Sequence, residues 1–225
     1  MEELNTIQKI AVMALPLVFA VVLHEVAHGW VANKLGDHTA RDMGRLTLNP
    51  IPHIDLFGTI IMPLLLFVVT NGRFVFGSAK PVPINPYNFK NPKKDMALSS
   101  LAGPAVNMLM AVVFTFLLRV VIAGLEGHIP QTYWKWLFLP LSYMFIYGII
   151  INVVLAVLNM IPIPPLDGSR VVYWLLPDKH AASYYRLERY GMFIILALFA
   201  FGALGWIMTP IVSFILTLLL GEKVF

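Results

Sequence analysis

The sequence predicts an all-α polytopic membrane protein: a bundle of transmembrane helices with a small re-entrant β-hairpin or membrane-dipping element after the first helix. Composition is the first reason. Of 225 residues, 59% are hydrophobic and 12% charged, against about 25% charged in soluble domains. The mean hydropathy is +0.78. The second reason is that Ile7 to Val31, Met96 to Leu125 and Leu137 to Met160 each reach the roughly 20 apolar residues a spanning helix requires.

The first stretch reads as a span rather than a removable leader, because Glu2 and Glu3 make its start acidic and it exceeds a signal h-region in length. Next comes Gly58 to Val69, an apolar run interrupted by Pro63, whose length of about a dozen residues suits a re-entrant or interfacial piece. Ahead of it, Leu46, Thr47 and Leu48 alternate like a strand before Pro50 and Pro52. From Arg45 to Asp55 an extended hairpin is therefore expected, its backbone satisfied by protein or water. A fourth apolar region, Gly191 to Leu220, is too long for one straight span and too short for two, with Gly202, Gly205 and Pro210 as candidate breaks.

Charge sets the orientation. Lys34, Arg41, Arg45, Arg73, Lys80, Lys90, Lys93 and Lys94 lie between the first two spans, and Arg170, Lys179, Arg186 and Arg189 follow the third. Between Glu126 and Trp136 there is only Lys135. The positive-inside rule then puts the two basic segments in the cytoplasm, and the first helix runs inward. The net charge of +4 fits loops facing anionic lipid, with no basic face interleaved with aromatics to suggest nucleic acid. With no cysteine, disulfides and thiolate metal sites are excluded.

Inside the first span lies His24-Glu25-Val26-Ala27-His28. Residues four apart share a helix face, so both imidazoles can hold one metal while Glu25 reaches a water beside it. A centrally placed charge costs roughly 2.5–3.5 kcal/mol in a membrane helix, so ionisable groups this close together argue for function. Counted from Ile10, His24 lies about 21 Å along a core about 30 Å thick, nearer the cytoplasmic side. A catalytic zinc takes three protein ligands and keeps an open position. The best third ligand is Asp167, which follows Asn159-Met-Ile-Pro162-Ile-Pro164-Pro165-Leu and precedes Gly168. Three prolines in that run forbid helix continuation and predict extended backbone at the cytoplasmic end of the third span.

These paired motifs resemble the site-2 protease family of intramembrane zinc metalloproteases. Further matches to its compact bacterial and archaeal branch are Leu48-Asn49-Pro50-Ile51-Pro52-His53-Ile54-Asp55, Ala79-Lys80-Pro81-Val82-Pro83-Ile84-Asn85-Pro86 and Ala102-Gly103-Pro104-Ala105-Val106-Asn107. The likeness covers roughly residues 20 to 170, and no room is found for a PDZ insertion or a CBS domain. It implies one zinc per chain on His24, His28 and Asp167, Glu25 as general base, and Asn159 holding the substrate backbone. The implied partners are the lipid bilayer of a prokaryotic cell and a transmembrane protein substrate. The expected organisation is one domain over 1–225 with a catalytic core of about 7–170.

Competing readings attach to several residues. Asn49 and His53 could donate hydrogen bonds to an oxyanion, or simply form a turn. Asn107 and Asn152 suit interhelical hydrogen bonding. Two other functions use the same residues: a divalent-metal transporter whose His and Asp line an ion path, and an inactive scaffold that binds membrane helices. Neither needs Glu25 as a base, and no inverted repeat is evident.

Overall fold

The computed structural model describes residues 6–69, 77, 79–125 and 127–221. Its main helices are α1 (Thr6–Lys34), α2 (Met62–Val69), α3 (Pro92–Phe116), α4 (Leu139–Asn159), α5 (Asp167–Leu175), α6 (Asp178–Tyr185), α7 (Glu188–Ala200) and α8 (Ala203–Leu220). Among the described residues four segments, Ala11–Lys34, Pro92–Val120, Gln131–Asn159 and Ala203–Leu220, are long and apolar enough to cross a membrane, which makes the chain multi-pass by length and composition.

Helices α1, α3 and α4 pack against one another, and α8 closes on α4. Ala111, Ile149, Val153, Val157, Val212 and Leu216 form the buried centre of this packing. Large apolar side chains such as Phe19, Phe193 and Trp206 face outward, as a bilayer solvent permits. Local chemistry explains the ends. Pro92 opens α3 at a position where a missing N–H is harmless, and Asp95 reaches back to accept the Asn91 N–H at 2.9 Å. Pro162, Pro164 and Pro165 prevent α4 from continuing.

The expected β-hairpin is not there: among the described residues there is no strand. Between Arg45 and Asp55 the chain makes bends and a 3-10 turn, Ile51–His53. Side chains near the prolines capture the backbone donors a ladder would need. Thr47 Oγ1 accepts from Asn49 N–H at 3.2 Å, and Asn49 Oδ1 from Ile51 N–H at 3.1 Å. Pro50 and Pro52 have no donors at all. The following apolar stretch is helical, a π-helical turn over Leu56–Ile61 running into α2, with Asp55 capping Gly58 N–H at 2.6 Å.

The fourth apolar region divides at Gly202, whose φ of 72° lies in the left-handed region that glycine tolerates. Helix α7 has 13 residues, about 20 Å, too short for a core of about 30 Å. Pro210 sits within α8 without ending it. The basic segment after the third span, read from sequence only as a connection, contains α5 and α6.

Candidate metal centre

Helix α1 delivers His24 and His28 one turn apart, both buried. Asp167 arrives from a distant stretch of chain, beyond the proline segment that follows α4, as the first residue of α5. Its Oδ2 lies 3.2 Å from His24 Nε2 and 3.3 Å from His28 Nε2, and the two Nε2 atoms are 3.0 Å apart. Ligands at 2.0–2.1 Å from a tetrahedral zinc are separated by about 3.3 Å, so this triangle has the size of one face of such a site.

The proton positions favour a cation at that face. His28 Nδ1 lies 2.8 Å from the Ser99 carbonyl, which can only accept, so Nδ1 carries the hydrogen. His24 Nδ1 is 2.6 Å from Asn107 Oδ1. The Asn107 amide is oriented by donating from Nδ2 to the Ala20 carbonyl at 3.2 Å and to Asn152 Oδ1 at 2.8 Å, leaving Oδ1 as acceptor. Both Nε2 atoms therefore turn lone pairs toward each other and toward a carboxylate oxygen that is buried without a hydrogen bond. Three electron-rich atoms crowded together are stable around a positive charge. Gly103 of α3 makes room, since a Cβ there would overlap both imidazoles.

Known proteins point the same way. Residues 125–202 match the profile of Peptidase family M50. The chain is 37% identical over 205 residues to "Putative zinc metalloprotease YwhC" of Bacillus subtilis, covering 91% of this chain and 83% of that one. The chain belongs to peptidase family M50. It is also 27% identical to "Putative zinc metalloprotease Rip2" of Mycolicibacterium smegmatis, over 83% of this chain and 65% of that one. With "Putative zinc metalloprotease MJ0611" of Methanocaldococcus jannaschii the identity is 33% over 45% of this chain and 47% of the relative. No solved structure matches the chain.

In this M50 peptidase the segment that presents Asp167 is held from several sides. Tyr184 donates its hydroxyl to the Pro162 carbonyl at 2.8 Å. Gly191 of α7 lies so close to the Pro164 carbonyl, and Gly168 so close to that of Met160, that a Cβ at either would overlap backbone. Arg170 pairs with Glu188 at 2.8 Å, joining α5 to α7.

Glu25 follows His24 on α1 and accepts the Val82 N–H at Oε2, 2.8 Å away. Asn159 donates from Nδ2 to its own helix, at the Leu155 carbonyl, 3.0 Å away. Asn49 caps the turn described above, and His53 is buried with Nε2 3.0 Å from the Thr47 carbonyl. Asn107 and Asn152 do bridge α3 and α4, as expected of polar residues in a bundle. Their second task, orienting His24, was invisible in sequence because it depends on which way α3 faces α1.

Sequence reasoning missed Ser99, Gly103 and Val82 as parts of the site. The Ala102-Gly103-Pro104 run was a usable signal, since glycine in a helix interior costs about 1 kcal/mol relative to alanine and usually marks close packing. An apolar cavity of about 860 Å³ is lined by Leu101, Pro104 and Met108 of α3, by Pro162 and Ile163 of the proline segment and by Ile211 of α8. At 100° per residue those α3 positions lie on a different face from Ser99, Gly103 and Asn107.

Proposed function

We propose that this M50 peptidase is an intramembrane zinc endopeptidase that hydrolyses a peptide bond within or near a transmembrane segment of another membrane protein. The observation that carries the reading is the convergence of His24, His28 and Asp167 at 3.0–3.3 Å, with Glu25 on the turn between the two histidines. His24, His28 and Asp167 would hold the zinc. When bound, zinc would polarise the scissile carbonyl and bring the pKa of water to about 7.

The chain's own groups do the rest. The Glu25 carboxylate takes a proton from the attacking water and delivers it to the leaving amine. Asn107 and Ser99 keep the imidazole protons on Nδ1. Asn159, at the end of α4 beside the proline segment, has a second amide hydrogen with which to hold the substrate backbone. Asn49 and His53 remain candidates to donate to the oxyanion in this reading: the Asn49 bond to Ile51 N–H uses Oδ1 and leaves its Nδ2 hydrogens for a ligand, while His53 Nε2 also holds the Thr47 carbonyl. Residues 1–225 are proposed to act as one domain, with the centre nearer the cytoplasmic face, following the Lys and Arg distribution.

A metal transporter would use the same three ligands but has no use for a carboxylate fixed beside them. Glu25→Gln separates the cases. The protease reading expects zinc stoichiometry close to wild type and turnover of an internally quenched membrane-spanning peptide reduced by at least about 100-fold. Undiminished turnover would overturn the assignment of the base, and undiminished zinc flux without cleavage by the wild type would favour transport.

A further inference from the structure

The backbone from Ala79 to Asn85 crosses the face of α1 that carries Glu25, and four sets of hydrogen bonds tie it down. Lys80 N–H donates to the His53 carbonyl at 2.9 Å. The Arg45 guanidinium donates from Nη2 to the carbonyls of Lys80 and Pro81, at 2.8 and 3.4 Å. Asn85 N–H donates to Asp37 Oδ2 at 2.7 Å. Between these anchors, Val82 N–H meets Glu25 Oε2 at 2.8 Å.

The sequence of this strap makes that last bond specific. Pro81 and Pro83 have no N–H, so Val82 carries the one amide donor in its tripeptide. Pro83 also biases Val82 to extended backbone before any tertiary contact forms. Close approach is allowed by Gly29, which is four residues from Glu25 and so on the same face of α1. A Cβ at Gly29 would come within 2.8 Å of Val82 Cγ1 and 2.7 Å of Leu46 Cδ2. Glutamate has three rotatable side-chain bonds and α1 alone leaves its carboxylate many positions. A charge-assisted bond from a pinned backbone reduces them to one.

We propose that the Val82 amide is the positioning group for Glu25, and that Arg45 acts through it by holding the Lys80 and Pro81 carbonyls of the strap. This rests on the reading of Glu25 as base. Glu25 is the catalytic residue; Val82 and Arg45 are positioning residues.

The test has two arms on the full-length, zinc-loaded protein in detergent. In the first, hydrogen exchange is followed in peptides covering residues 79–85. Glu25→Ala should release the protection of one amide, Val82, and leave those of Lys80 and Asn85 unchanged, while Glu25→Gln, which keeps an acceptor oxygen, should restore it. Fast exchange of the Val82 amide in the wild type, or loosening of the whole segment in Glu25→Ala, would overturn the proposal. In the second arm, Val82→Pro removes the donor and Val82→Ala keeps it while trimming the side chain. With a membrane-spanning quenched peptide, Val82→Pro should lower kcat about 10- to 100-fold at unchanged KM and zinc content, while Val82→Ala stays within about threefold of wild type. Equal kcat in the two variants, or loss of zinc in Val82→Pro, would sink it. Glu25→Gln measured alongside keeps the readings apart: if it is inactive while the Val82 variants are equal, the base stands and its positioning by the strap does not.

Discussion

His24 on α1 donates its Nδ1 hydrogen to Asn107 Oδ1 on α3 at 2.6 Å, and Asn107 in turn donates to Asn152 on α4 at 2.8 Å. One imidazole is thereby oriented by two neighbouring helices. Helix packing and metal affinity are coupled through a single amide, because a ligand ring that can rotate or change tautomer loses its advantage as a ligand.

Asn107→Ala should weaken zinc binding about 10- to 100-fold, the usual scale for losing a partner of a ligating histidine. Competition with a fluorescent chelator measures this directly. Asn107→Asp, which keeps an acceptor toward His24 but cannot donate to Asn152, should retain more affinity than Asn107→Ala.

Gly103→Ala should be more damaging to the centre than its size suggests. The added methyl would overlap both imidazoles, so either a ring or α3 must move. Overpacking of this kind costs about 1–3 kcal/mol. Zinc stoichiometry should fall together with the thermal midpoint; a variant with full zinc content would contradict the packing described here.

Removing zinc should loosen the join between α1 and α5, whose ligands otherwise face one another as uncompensated electron-rich atoms. A ligand that binds only the folded state stabilises it by about 2.7 kcal/mol at 100 times its Kd. Chelation should therefore lower Tm, with recovery on adding zinc back. His28→Ala should abolish that zinc dependence.

Asp37 provides a pH-dependent anchor outside the spans. Burial by itself would raise its pKa, but the Thr39 hydroxyl, the Asn88 amide and the backbone N–H groups of Asn85 and Thr39 donate to it and hold it below the ordinary carboxylate value. With the folded pKa below the unfolded value of about 3.9, its stabilisation is complete above that value. It is lost as the pH falls through the folded pKa. Denaturant midpoints should drop on acidification, and Asp37→Asn should be less stable at neutral pH yet show a smaller acid-induced loss.

Much of this protein was legible one element at a time. The three longest spans follow from apolar length, and the His24–His28 pair follows from helical periodicity, because both are properties of a short stretch of chain whatever surrounds it. Asp167 stood out by its place after the prolines, although the helix it begins did not. Between Arg45 and Asp55 no hairpin forms, since alternation over three residues is weaker than the capture of backbone donors by Thr47 and Asn49.

The sequence by itself determined that the chain crosses a bilayer and that one helix presents two imidazoles and a carboxylate to a common neighbourhood. Only the tertiary structure decided that Asp167 reaches the same point within 3.3 Å, that Asn107 and Ser99 set the imidazole protons, and that Val82 meets Glu25. Backbone periodicity is a local property and can be read along the chain. The distance between two packed segments is set by what their facing side chains leave room for, here the missing Cβ of Gly103 between α3 and α1 and that of Gly29 beneath the Val82 strap.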